Sequence, residues 1–84
     1  MSHVPPITIP PENLDERLRA LDSTARARVE IMLPWLLNEL LARKPQPRNV
    51  ATQHALRILI GIEVSGGDCT DRELVEHHCA VIHN

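Results

Sequence analysis

Two cysteines and three histidines lie near the end of the sequence: Cys69, His77, His78, Cys79 and His83. Zinc takes thiolate and imidazole ligands in a tetrahedron. Cys79 and His83 stand four residues apart, on one face of a helix, where two side chains can share an ion. Cys69 lies one loop upstream and can fold back, and His54 or His78 can complete four ligands. A zinc site of Cys69, His78, Cys79 and His83 is therefore one reading. The spacing contains no CxxC or HxxxH pair, and a simpler reading competes with it. In that reading Cys79 is a small apolar residue beside Val75 and Ile82, His78 lies on the apolar face, and His77 and His83 lie at its border. The expectation is a chain without a cofactor, with zinc as the alternative.

The same residues offer a Cys–His nucleophile, because Cys79 has histidines within one turn. Such catalysis also needs an orienting group, an oxyanion hole and a cleft. Neighbouring residues on a helix point in different directions, and a chain this small and aliphatic has little room for a cleft. The expectation is no enzyme. Gly66-Gly67 precedes a helix, but the Lys-Ser or Lys-Thr of a phosphate loop does not follow.

Nucleic-acid binding has two possible footholds. The stretch from Glu73 to Val81 resembles the first helix and turn of a helix-turn-helix unit, over about ten residues. The sequence ends at Asn84, where a recognition helix would begin, and the region from Glu63 onward is acidic, with Arg72 its one basic residue apart from histidines. The basic residues Arg43, Lys44, Arg48 and Arg57 are then the expected contacts if DNA is bound. Interleaved charges earlier in the chain, Glu12, Asp15, Glu16 and Asp22 with Arg17, Arg19, Arg26 and Arg28, read as a solvated face.

The whole chain bounds these possibilities. Its 84 residues allow one domain with a small core. Net charge is −2, which gives no long-range field to draw in nucleic acid or an acidic membrane. The hydrophobic fraction is 43%, yet Trp35 is the one aromatic residue, so the core must be aliphatic. A second copy would enlarge such a core, which points to a homodimer. Neither a signal peptide nor a membrane span is expected, and two cysteines are too few for an oxidised scaffold, so the expected location is the cytoplasm.

Helices must position whatever functions here. Residues 1–11 read as an extended proline-rich arm with Ile7 and Ile9 on one face, and 12–84 as a single helical domain. The first helix is expected from Asn13, with Glu16 three residues on as in a capping box. The second is expected from about Thr24 to Arg43, apolar on most sides and so central or covered by another chain. Pro34 should kink or split it near Leu33. The third is expected from Val50 to Glu63 with Asn49 as its cap, although the β-branched run from Arg57 to Val64 also reads as a strand. The fourth starts at the capping box Thr70-Asp71-Arg72-Glu73. The fold class expected is all-α, a bundle of about four helices.

Without visible chemistry, the expected function is a protein-interaction module of bacterial or phage type. It would be a regulator or inhibitor acting as a homodimer through Ile7, Ile9, Ile31, Trp35, Leu37 and Leu41. The alternatives are a DNA-binding transcriptional regulator and a zinc-stabilised module.

Overall fold

The computed structural model describes residues 13–83, and the side chains of 13–80. Four helices follow one another: α1 (Leu14–Ala20), α2 (Ser23–Arg43), α3 (Arg48–Val64) and α4 (Arg72–His83). No strand occurs among the described residues. The all-helical bundle is as expected, and the arm with Ile7 and Ile9 lies outside the described residues.

The helix starts differ from expectation in an instructive way. Asn13 adopts a left-handed conformation (φ 64°) and its side chain caps nothing. Asn tolerates that region better than most residues, and its carbonyl still accepts the first helical bond, from the Arg17 N–H at 2.9 Å. The expected capping box is absent there. Asp22 is a true cap: its carboxylate accepts from the Ala25 N–H at 2.7 Å. α3 begins two residues before the expected Val50. Pro47 precedes it with φ −57°, and Asn49 lies inside the first turn rather than capping it.

Asp71, not Thr70, caps α4. Its side chain accepts from the N–H groups of Glu73 (3.1 Å) and Leu74 (3.4 Å), while the Thr70 hydroxyl donates to Asp68 at 2.7 Å. Asp71→Ala should therefore cost about 1 kcal/mol of stability, and Thr70→Ala clearly less. Thermal melts of the two variants check the order, and equal losses would refute the assignment.

α2 is not split at Pro34; helix runs through it from Ser23 to Arg43. The reason lies in its surroundings. Pro34 and Glu30 are both exposed, so the Glu30 carbonyl that loses its helical partner faces water instead of the core.

The centre of the fold is α3 rather than α2. Ile58, Leu59, Ile60, Gly61 and Ile62 are five consecutive buried residues, so this half of α3 is covered on every side. It packs against α1, α2 and α4. The β-branched stretch is thus helical, held by tertiary burial that outweighs local strand preference. α2 instead buries one stripe, Ala25, Val29, Met32, Leu36 and Leu40, with Leu37 beside it. Its far side carries Ala27, Glu30, Ile31, Pro34 and Asn38, all exposed.

Leu36, Leu40, Leu59 and Ile62 join Val75 and Cys79 of α4 in the main cluster. α1 is pinned separately, where Leu14 and Ile60 are buried together against Leu18, Leu21 and Leu56. α3 ends in a Schellman motif. The Gly67 N–H donates to the Ile62 carbonyl (2.9 Å), and the Gly66 N–H to that of Glu63 (3.1 Å). Gly66 takes φ 88°, which favours glycine. A Cβ on Gly67 would meet Ile62 Cγ2 at 3.0 Å and Leu74 Cδ2 at 3.2 Å, so the turn is closely packed.

Candidate functional site

The cysteines fall in the core. Cys69 and Cys79 are buried with free thiols in the same apolar cluster. Burial pushes the Cys69 thiol up to about 12, with the Glu63 carboxylate adding to the effect. Burial likewise raises Cys79. The thiolate, the form that attacks or binds metal, is therefore disfavoured at both positions. His78 Nδ1 lies 2.9 Å from the Leu74 carbonyl oxygen. His77 is exposed and meets the His78 ring edge-on at 6.0 Å. Among the described residues no group of three or more His, Cys, Asp or Glu is placed to hold a metal ion. The His83 side chain lies outside the described residues. His54, on α3, is held below its ordinary pKa by burial first, then by Arg57 and Lys44.

The residues expected at an interface differ in exposure where the structure describes them. Ile31 is 69% exposed, the most exposed large hydrophobic residue among those described. Trp35, one turn on, is half-buried under the Arg72 guanidinium of α4, 5.1 Å from the ring centroid. Leu41 is half-buried, whereas Leu37 is buried within the chain itself. Val64, at the end of α3, is a second exposed hydrophobic that periodicity did not single out.

The basic residues proposed for DNA gather around the turn between α2 and α3. Arg43, Lys44 and Arg48 are exposed there, and Arg57 is half-buried farther along α3. Arg43 lies 4.0 Å from the Glu39 carboxylate in an exposed pair, a contact of little energetic weight. A shallow groove of about 450 Å³ runs between α1 and α3, lined by Asn13, Asp15, Arg19, Gln53 and Leu56 among others. Its wall mixes charges of both signs with little apolar surface, unlike a typical ligand pocket.

The most developed polar constellation escaped sequence reasoning. Arg28 of α2 grips Glu63 of α3 with two parallel bonds, Nε donating at 2.8 Å and Nη2 at 2.7 Å. The Glu63 side chain is 3% exposed, that of Arg28 31%. Asp68 stands 3.8 Å from Arg28 Nε on the solvent side. The Arg28 fork first, then Cys69, hold the Glu63 carboxyl below the usual carboxylate range against the opposing effect of burial. Asp68 is lowered too, chiefly by the Thr70 hydroxyl and N–H. This ionised, saturated carboxylate is built to hold elements together rather than to exchange a proton near neutrality. One sequence signal pointed to it: Glu63 directly follows the apolar run Ile58-Leu59-Ile60-Gly61-Ile62. Its partner lies 35 residues away, where no local spacing rule reaches.

No helix among the described residues is long and apolar enough to cross a membrane. Compared with protein-family models, curated proteins and solved structures, the chain matches none.

Proposed function

We propose that this chain is a small non-enzymatic helical interaction module, a regulator or inhibitor that acts by binding another protein and works as a homodimer. The observation that supports it is the outer face of α2. Ile31 stands in solvent there beside exposed Ala27 and Pro34, and Trp35 with its Arg72 cover borders the same face. Trp and Arg are the residue types that carry most binding energy at protein interfaces, and an exposed aliphatic beside them supplies area to bury. The opposite stripe of α2, Ala25, Val29, Met32, Leu36 and Leu40, is already buried inside the chain, so docking through the outer face needs no unfolding.

The test is sedimentation equilibrium of the native chain and of Ile31→Glu. The expected result is a self-associating native chain and a monomeric variant. Because position 31 is exposed, the variant's stability, measured at concentrations where the native chain too is monomeric, should stay within about 0.5 kcal/mol of the native value. A native chain that stays monomeric at high concentration, or an association that ignores the charge at position 31, would refute the proposal.

A further inference from the structure

We propose that a second copy of this chain docks antiparallel on the Ile31 face, across a two-fold axis that sets Asp68 of one copy against Arg72 of the other. The inference rests on the self-association proposed above and adds the orientation and the charges that select the partner. The face is built from two segments. α2 contributes Arg28, Ile31 and Trp35, three and four residues apart and so on one side of the helix. The loop before α4 contributes Asp68, and the first turn of α4 contributes Arg72. Asp68 lies 3.8 Å from Arg28 Nε, and the Arg72 guanidinium lies 5.1 Å from the Trp35 ring centroid. Ile31, 69% exposed, thus stands between Asp68 on one side and Arg72 on the other.

The sign of each border follows from what is already paired. The charge of Arg28 is matched by Glu63, which accepts its two bonds at 2.8 and 2.7 Å. Asp68, whose side chain is 65% exposed, therefore leaves that border negative. Arg72 is exposed, and among the described residues neither Glu73 nor Glu76 of α4 makes an ion pair with it, so the other border is positive. Along α2 the two borders lie about 10 Å apart, the rise from Arg28 to Trp35 at about 1.5 Å per residue. A two-fold contact between identical copies must be self-complementary. With α2 antiparallel to its copy about an axis at Ile31, Ile31 meets Ile31 and each Asp68 faces an Arg72. With the helices parallel, Asp68 would face Asp68 and Arg72 would face Arg72. The charges therefore select the antiparallel arrangement, and they act on orientation and partner choice more than on affinity. Ile31 and Trp35 supply the apolar centre between them.

Sedimentation equilibrium on the full chain tests this with charge reversals. The native chain should self-associate, and less so as salt is raised. Arg72→Glu, at an exposed position in the first helical turn where an acid suits the helix dipole, sets Asp68 against an acid twice per dimer. It should raise the dissociation constant by about tenfold or more. Adding Asp68→Lys to Arg72→Glu restores opposite charges across the axis and should bring the constant back to within about threefold of the native value. The cation–π contact with Trp35 is absent from both variants, so its loss cannot explain the recovery. If the double variant does not fold, Asp68→Asn with Arg72→Glu decides the matter. It keeps an acceptor for the Thr70 N–H and hydroxyl and should relieve most of the repulsion. A native dimer that Arg72→Glu leaves unchanged, or that neither second substitution rescues, would overturn the antiparallel arrangement and leave the homodimer reading standing. A native chain that stays monomeric at high concentration would overturn both.

Discussion

Leu59→Ala is expected to cost about 3–5 kcal/mol and to leave much of the chain unfolded at room temperature. Leu59 has no exposed surface and belongs to the run of five consecutive buried residues in α3. Its side chain belongs to the cluster in which α2, α3 and α4 meet, so a cavity there cannot be filled by one helix moving inward. Leucine-to-alanine losses in such sites run to about 2–5 kcal/mol, with the upper values where the walls cannot collapse. Domains of this size have total stabilities near the low end of about 5–15 kcal/mol. Leu36→Ala, from the facing stripe of α2 and equally buried, should behave alike. Leu41→Ala, at a half-buried position, should lose clearly less. Urea unfolding with an unchanged denaturant slope reads the difference directly. A loss below about 1 kcal/mol at Leu59 would mean that α3 does not occupy the centre.

That ranking was only partly legible in the sequence. Helical periodicity placed all four helices, because aliphatic residues at spacings of three and four are a local property of the chain. Burial was misassigned between α2 and α3 because periodicity counts apolar residues and cannot count neighbours. α2 carries more of them, yet its Ile31 faces outward, whereas α3's fewer residues are enclosed on every side by α1, α2 and α4. Pro34 was expected to kink or split α2, and the helix is continuous through it. The cost of an internal proline depends on whether the orphaned carbonyl meets water or core, and only the three-dimensional surroundings decide that. The caps show the same limit at short range. Thr70 and Asp71 are both good cap residues one position apart, and Thr70 is committed to Asp68. At the site, periodicity offered Cys79 as a small apolar residue, and both Cys69 and Cys79 are buried. The Glu63 carboxylate was not seen, because its arginine comes from a helix far away in sequence.

The Arg28–Glu63 pair gives the second large effect, and its sign depends on pH. In the native protein the folded Glu63 pKa lies below the unfolded value of about 4.3. Its contribution to stability is therefore fully present above that unfolded value and is lost as pH falls through the folded one. Arg28→Ala removes the fork and leaves a carboxylate that is 3% exposed without the partner that holds both its oxygens. Burial, which in the native protein is outweighed, then dominates and lifts the folded pKa above the unfolded value. The sign reverses. The protonated acid is tolerated in the fold, so stability holds below the unfolded pKa and drains away as pH rises through the folded one. The variant should be markedly destabilised at pH 7 and should recover ground on acidification, where the native chain loses it. Other carboxylates, Asp68 among them, add their own slope, so the informative quantity is the difference between paired variants. Arg28→Ala with Glu63→Gln carries no titrating group at position 63 and should lack the reversed component. Urea midpoints of the native chain, the single variant and the double variant, measured from pH 7 down to about 3, below the unfolded pKa, separate these cases. If Arg28→Ala tracked the native pH profile with a constant offset, Glu63 would have to reach solvent once the fork is gone. The pair would then be an accessory surface contact rather than a buried one.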